Sequence, residues 1–206
     1  MVGSFQGGFM RKSIAIAIAV LALPLAAQGI NGGVYTGLSL PVGDLKDKSG
    51  SGSNQFFGAH VGGHLDFAIT PNHEVRAHVT YQRFPGSNWG GLYDYAKNDY
   101  SAFQVGADWV YHFEGPSQGW YTIAGASVNS IKDDYEYTTG SGRRISGSAS
   151  QSEKIGVRGG GGYSFSPAFS IEGTLNQVFT DKYGSDGFNF TTATWAQFSV
   201  VFRFGR

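Results

Sequence analysis

Histidine and carboxylate side chains recur at alternate positions in two neighbouring segments, a spacing that could support metal binding or proton transfer. His64 and Asp66 precede the turn at Pro71-Asn72, and Arg76 and His78 follow it. If these segments are antiparallel strands, residues whose numbers sum to about 142 face each other, so Asp66 lies beside Arg76 and His64 beside His78. The alternative to a site built from His64, His78 and Asp66 is a barrel interior filled with hydrogen-bonded polar side chains. We favour this alternative, because buried ions must be paired and a narrow barrel is filled by its own side chains.

The elements that would position these residues are strands in which apolar and polar side chains alternate. In the final segment an apolar stripe consists of Phe198, Val200, Phe202 and Phe204, and the opposite, polar face ends at Arg203. A strand with period-two alternation presents two different surfaces. Alternation and turn residues together predict eight strands, at 33–41, 55–69, 73–83, 99–113, 119–130, 152–165, 168–180 and 191–204.

The connections between these strands alternate in length. Those at 70–72, 114–118 and 166–167 are short, whereas 42–54, 84–98, 131–151 and 181–190 are long loops rich in Gly, Ser, Asp, Asn and Tyr. Short turns at one rim and long loops at the other are typical of bacterial transmembrane barrels. A soluble barrel of the lipocalin kind is the alternative, because alternation does not say which face is inside. Aromatic residues such as Tyr81 and Tyr121, near the ends of apolar faces, favour the membrane barrel.

The first 27 residues predict a secretory signal peptide. Met10-Arg11-Lys12 is basic, residues 14–25 are apolar, and Ala26-Ala27 are the small residues after which we expect cleavage. The apolar run is shorter than the roughly 20 residues of a membrane-spanning helix. Residues 28–206 are then predicted to form one β-barrel domain. The 206-residue chain has no cysteine and a formal net charge of zero, so disulfides are excluded and nothing suggests nucleic acid as a partner.

Two segments carry a resemblance to a known family. Residues 159–167 read GGGGYSFSP and turn into Phe169-Ser170-Ile171-Glu172, and the closing segment 198–204 reads FSVVFRF. With the signal peptide, they make the chain resemble the small eight-stranded outer-membrane barrels of the OmpA/OmpX type over essentially the whole mature chain. The resemblance implies an all-β fold, an eight-stranded antiparallel up-and-down transmembrane β-barrel in the bacterial outer membrane. In that family the final strand usually stops on an aromatic residue, whereas here Gly205 and Arg206 follow Phe204.

The polar faces of the predicted strands point into the barrel. The interior polar network predicted from them consists of His64, Asp66, Glu74, Arg76, His78, Asp108, Arg158, Glu172 and Arg203. Such a network is expected to stiffen the barrel as a salt-bridged plug. The alternative is a narrow, porin-like channel or gate for small solutes, in which the ion pairs exchange partners.

The long loops carry the candidate residues for surface recognition. They are Trp89, Tyr93, Tyr95, Tyr135, Tyr137, Arg143 and Arg144. Aromatic side chains offer large, rigid contact areas, and arginine pairs with phosphate. Expected partners are therefore outer-membrane lipids and lipopolysaccharide, with an extracellular protein ligand as a further candidate for the loops. The alternative is a flexible Gly/Ser loop whose rim aromatics anchor in the lipid headgroups.

Enzymatic activity is not expected. Lipid A deacylase barrels carry a Ser two residues after a His, whereas the residues two positions after the five histidines here are Gly62, Asp66, Val75, Thr80 and Glu114. No metal or other cofactor is predicted. The sequence therefore predicts a monomeric, non-enzymatic outer-membrane barrel with a structural or surface-interaction role. A narrow channel is the alternative, and a lipid-modifying enzyme is a weaker one.

Overall fold

A computed structural model describes residues 30–47, 57–86, 96–181 and 191–205. The predicted signal peptide lies outside these described residues, and so do Trp89, Tyr93 and Tyr95. The strands are β1 Ile30–Val42, β2 Gly58–Ala68, β3 His73–Phe84, β4 Ala96–His112, β5 Gly119–Thr138, β6 Arg144–Ser166, β7 Phe169–Phe179 and β8 Thr192–Phe204. One short helix, α1 Asp44–Asp47, follows β1.

All eight strands join in one closed antiparallel barrel. Each strand pairs with its neighbours along the chain, and β1 pairs with β8 to close the ring. The turn between β2 and β3 sets the register expected from the sequence, since Asp66 opposes Arg76 and His64 opposes His78. The predicted fold class is therefore confirmed. Among the described residues, no helix is long and apolar enough to cross a membrane.

Two strands are much longer than the sequence pattern predicted. β5 and β6 have 20 and 23 residues, compared with 11 in β2 and in β7. Most of the predicted loop 131–151 is therefore paired strand, and the turn between the strands spans only residues 139–143. Polar and small residues hide this extension in the sequence, because they lack the apolar alternation that marks the rest of each strand.

The outward face of the barrel is apolar on every strand. Large exposed side chains on this face include Val34, Leu38, Val61, Leu65, Val79, Phe103, Trp109, Ile155, Val157, Ile171, Leu175, Phe198 and Phe202. At the rim with short turns, aromatic rings form two rows in which neighbouring ring centroids lie 4.9–5.6 Å apart. In the first row, His73 contacts Trp109 and Tyr111, and Tyr111 contacts Phe113. The second row runs through Trp120, Tyr163, Phe165, Phe169 and Phe202. A water-soluble monomer rarely exposes so large an apolar surface. Tyr121, expected in the outward set, instead points inward and is buried, which corrects that assignment.

Candidate functional site

Arg76 lies at the centre of a charged cluster in the barrel interior. Its Nε donates to Asp66 Oδ1 at 2.8 Å, and its Nη1 donates to Glu172 Oε2 at 2.5 Å. The Tyr121 hydroxyl donates to the same Glu172 oxygen at 3.0 Å. All four side chains are buried. Because buried charges are stable only when paired and hydrogen-bonded, this cluster requires all its members.

Two further arginines extend the charged cluster. Arg158 Nε lies 3.6 Å from Asp108 Oδ1, and its Nη2 lies 3.9 Å from Glu172 Oε1. Arg203 Nε lies 3.8 Å from Asp66 Oδ2. The arginines come from β3, β6 and β8, so the cluster reaches across the lumen and does not simply follow one pair of strands.

Three histidines each approach a carboxylate in the same cluster. The distances are 3.0 Å for His64 Nδ1–Asp66 Oδ1, 3.0 Å for His112 Nε2–Glu74 Oε2 and 3.6 Å for His78 Nε2–Asp108 Oδ1. No group of three or more ligating side chains that could hold a metal ion occurs within the part of the chain that the structure describes. The spacing of His64, Asp66 and His78 therefore does not produce the metal site that the pattern alone allowed. All nine residues of the predicted interior network lie in the lumen and are buried.

Glycines opposite the large polar residues make room for them. Gly106 is the cross-strand partner of His78, and Gly125 is the partner of Asp108. A Cβ atom on Gly106 would lie 2.6 Å from His78 Nε2, and one on Gly125 would lie 2.1 Å from Asp108 Oδ1. The charged cluster therefore fits into the narrow barrel because the facing strand carries no side chain at these positions.

An uncharged hydrogen-bonded layer adjoins the charged cluster. Its bonds include Gln197 Nε2 to Gln82 Oε1 at 3.0 Å, Asn176 Nδ2 to Gln197 Oε1 at 3.1 Å and Gln104 Nε2 to Ser127 Oγ at 2.9 Å. His60 lies between two serines, with Nδ1 3.0 Å from Ser39 Oγ and Nε2 2.8 Å from Ser199 Oγ. In a serine hydrolase one ring nitrogen contacts the nucleophile and the other a carboxylate. Serines occupy both positions here, so this arrangement does not match a catalytic triad.

An apolar plug fills the lumen near the rim that carries the longer connections. It consists of Leu45, Phe84, Tyr100, Ala102, Ile131, Val178, Ala193 and Trp195. The Phe84 and Trp195 rings meet edge to face with centroids 6.3 Å apart. Leu45 reaches this plug from α1 and is 2% exposed. The interior therefore changes from charged to apolar along the barrel axis, and both parts are packed.

Three strands continue beyond the barrel as a protruding sheet. It consists of residues 96–99 of β4, 132–138 of β5 and 144–150 of β6. A bulge marks its base, where Asn129 pairs with Lys154 but Ile131 pairs with Gln151, and Glu153 has a φ of 60°. On the side away from β5, the described part of the chain offers no strand partner to β6 before Gly156. Among the residues that the structure describes, the β6 side of the protruding sheet is therefore a free edge.

Four of the predicted recognition residues belong to this sheet or its turn. Tyr135 and Tyr137 are stacked neighbours on β5, with ring centroids 6.5 Å apart. Arg143 lies in the exposed turn, and Arg144 begins β6 and pairs with Glu136. The prediction that Tyr135, Tyr137 and Arg144 lie in a long loop is wrong, because backbone pairing holds them in register on β5 and β6. Arg143 does lie in the connecting turn.

Ion pairs cover one face of the protruding sheet. Arg83 Nη2 donates to Asp99 Oδ2 at 2.8 Å, and Lys132 Nζ lies 2.6 Å from Asp134 Oδ1. Asp99 stands directly opposite Asp134 in the β4–β5 pairing, so these basic partners offset a repulsive pair of carboxylates. The hydrogen bond to Asp99 raises the pKa of Arg83.

Sequence reasoning missed three contributors to the interior. Tyr121 was assigned to the outward face, since residues 120–128 are nearly apolar on both faces. The contact between His112 and Glu74 was not predicted, because it depends on the pairing of β3 with β4. Leu45 lies in a segment with no strand pattern, so no sequence signal marked it as part of the plug.

The fold is similar to that of Ail, the attachment invasion locus protein of Yersinia pestis. The TM-score is 0.51 at 13% identity, over 84% of this chain and 98% of Ail. A structure of Ail in complex with the heparin analogue sucrose octasulfate gives a TM-score of 0.50 at 14% identity, over 86% of this chain and all of that chain. Neisserial surface protein A gives 0.46 at 15% identity, over 86% of this chain and 97% of that one. No protein-family model and no curated protein matches the chain. The predicted resemblance to small eight-stranded outer-membrane barrels is thus confirmed for the fold.

Proposed function

We propose that this protein is a monomeric, non-enzymatic barrel of the outer membrane that uses its protruding sheet as a surface for binding extracellular polypeptide. The single observation that carries this proposal is the free edge of β6 at the end of the protruding sheet.

The outward face supports the location in a membrane. Its exposed apolar side chains suit the hydrocarbon of a bilayer. The rows of aromatic rings at the rim with short turns suit the membrane–water interface. Lipid and lipopolysaccharide are then the partners of the barrel wall. In cell fractionation we expect the protein in the outer-membrane fraction, with a gel mobility that changes on heating. Recovery in the soluble periplasmic fraction would contradict the location.

The free edge supports binding to an extended polypeptide. Residues 145–150 read ISGSAS and contain neither charge nor proline, the features by which proteins usually protect an exposed edge. An edge without such protection can accept a further strand, with the backbone supplying hydrogen bonds. Arg143 is exposed beside this edge and favours a segment with acidic residues at that end.

The orientation of β6 argues against its edge serving as a contact between two copies in one membrane. The strand runs from the protruding turn at Arg144 into the barrel. Two copies inserted in the same direction would present β6 strands with the same direction across the membrane, so these edges could pair only in the parallel sense, which is the less stable pairing per residue. The partner that fits the edge is another polypeptide.

A peptide selection tests the interaction. The protein in lipid nanodiscs is used to select binders from a library of random 12-residue peptides. The control replaces residues 132–150 by Asn-Gly, which joins the paired residues Ile131 and Gln151 by a two-residue hairpin turn. We expect the selected peptides to lose at least about tenfold in affinity for the shortened barrel. In a peptide paired with the edge, the backbone N–H groups of every second residue point to β6. Methylation of these nitrogens should therefore weaken binding, whereas methylation of the nitrogens between them should not. Equal binding to the shortened barrel would refute the proposed surface.

A narrow channel is the second candidate, and the polar residues of the lumen are the observation that favours it. The packed apolar plug argues against conduction, and we expect no openings in planar bilayers. Reproducible single-channel openings would support the channel instead. Mass spectrometry of lipid A should show the same profile with and without expression; a changed profile would support an enzyme.

A further inference from the structure

Tyr135 lies across the outermost described strand of the protruding sheet. It stands directly opposite Gly147 in the β5–β6 pairing. A Cβ atom on Gly147 would lie 2.5 Å from Tyr135 Cζ and still closer to the hydroxyl, so the glycine is what lets the ring extend over β6. The hydroxyl end of Tyr135 therefore lies over the strand that carries the free edge.

The two faces of the sheet differ beside this edge. On the face of Tyr135, here the tyrosine face, Tyr137 stacks on Tyr135 and stands opposite Ile145. The opposite face, here the serine face, is polar and holds a groove of about 360 Å³, whose lining includes Glu136, Ser146 and Ser148. An added strand would alternate its side chains between these faces, so its apolar residues belong on the tyrosine face and its polar residues on the serine face.

The edge strand itself gives an added strand no fixed register. Residues 146–150 read SGSAS, and pairing along a strand with such small side chains slips easily. Tyr135 breaks this uniformity, because only the added residue directly opposite Gly147 would meet the end of its ring. The ring therefore marks one position of the edge.

The tyrosine face ends toward the barrel at Asp133, which stands opposite Ala149. Burial raises the pKa of the Asp133 carboxyl to about 6, although the hydrogen bond from the Tyr100 hydroxyl lowers it. Apolar contact is therefore limited to the added residues opposite Gly147 and Ile145, which are two positions apart and share one face.

We propose that Tyr135 determines which segment the free edge accepts: an antiparallel strand with an aromatic side chain opposite Gly147, a second apolar side chain opposite Ile145, and polar residues on the serine face. Aromatic and β-branched side chains that are neighbours across strands stabilise each other, and an aromatic side chain on the added strand is long enough to reach the ring over Gly147. This inference rests on the proposed binding at the free edge and adds the sequence preference of that site.

The test compares two peptides of identical composition by calorimetry on the full chain in nanodiscs. The matched peptide, Lys-Thr-Phe-Thr-Val-Thr-Glu, places Phe opposite Gly147, Val opposite Ile145 and Glu beside Arg143. The shifted peptide, Lys-Phe-Thr-Thr-Val-Thr-Glu, moves Phe to the serine face. We expect the matched peptide to bind at least about tenfold more tightly, because only its Phe is buried against Tyr135.

Variants of Tyr135 test whether its ring causes this difference. Tyr135→Ala should reduce the ratio of the two affinities to less than about threefold, whereas Tyr135→Phe keeps the ring and should keep the ratio. Thr138→Ala, a change on the serine face of the same strand, is the control and should also keep it. Heat-modifiable gel mobility establishes that each variant has folded. If Tyr135→Ala weakened both peptides equally, Tyr135 would only support the sheet, and the proposal would be wrong.

Disulfide formation tests the register directly, because the chain has no cysteine of its own. Opposed residues of an antiparallel pair lie within disulfide range. In Ser148→Cys, a matched peptide with Cys in place of the Thr before Phe should cross-link faster than one with Cys in place of the Thr after Phe. Equal rates, or the reverse order expected of a parallel strand, would overturn the proposal.

Failure of this inference and failure of the proposed function give different results. If both peptides bind the full chain equally and both lose affinity for the barrel that lacks residues 132–150, binding at the edge stands and the sequence preference is wrong. If the matched peptide binds the full chain and the shortened barrel alike, the binding surface itself is wrong, and this inference fails with it.

Discussion

The charged cluster and the apolar plug fill the same lumen by different physical means. In the charged cluster, Arg76 bonds to both Asp66 and Glu172, so each side chain depends on named partners at fixed distances. In the plug, Leu45 and Phe84 contribute volume, and a side chain of similar size could replace either. The comparison teaches that one part of the lumen is specified by pairing and the other by shape.

The largest expected effect comes from removing a buried charge. Arg76→Met leaves Asp66 and Glu172 without their shared partner, and we expect the free energy of unfolding to fall by about 3–5 kcal/mol. Urea unfolding in lipid vesicles, followed by tryptophan fluorescence, measures this loss. Arg83→Met is the matched control, because Arg83 also pairs with an aspartate but is exposed; it should cost less than about 1 kcal/mol. Equal losses would mean that burial does not distinguish the two pairs.

A cavity in the apolar plug should have the next largest effect. Leu45→Ala removes packed volume, and we expect a loss of about 2–4 kcal/mol in the same unfolding measurement. Leu45→Met nearly conserves the volume and should cost less than about 1.5 kcal/mol. If Leu45→Met were as damaging as Leu45→Ala, the plug would depend on exact pairing, as the charged cluster does.

Added volume should damage the charged cluster where a glycine faces it. Gly125→Ala places a Cβ atom 2.1 Å from Asp108 Oδ1, and we expect a loss of about 1–3 kcal/mol. Gly159→Ala is the control, since the nearest atom to its Cβ is 3.8 Å away. A crystal structure or thermal unfolding of both variants would show whether the cluster can shift to accept the methyl group.

The smallest effect concerns the acid beside the plug. Because the pKa of Asp133 is raised to about 6, the folded state holds a proton that the unfolded state has already released. Stability should therefore fall as the pH rises from about 4 to about 6, and the cost should persist above pH 6. Asp133→Asn should remove this part of the pH dependence, whereas Asp134→Asn should retain it. Unfolding at a series of pH values measures how the free energy of unfolding depends on pH. If Asp133→Asn showed the same dependence as the wild-type protein, another group would be responsible for it.

Sequence reasoning succeeded where neighbouring residues set the geometry. The turn at Pro71-Asn72 fixes which residues of β2 and β3 face each other, so the pairs His64–His78 and Asp66–Arg76 followed from counting alone. It failed for the β5–β6 extension, because residues 132–150 alternate weakly and their loop-like composition conceals the strands. No local rule marks Leu45 as a plug residue, since α1 is placed by contact with the lumen.

The sequence by itself determined the period-two pattern, and with it the side of the wall on which Arg76, Glu172 and Arg203 would lie. Only the tertiary structure decided which of them meet. Arg76 and Glu172 are 96 residues apart, and Arg203 reaches Asp66 only because β8 pairs with β1. Alternation is a local consequence of strand geometry, whereas contact across the lumen depends on closure of the whole ring.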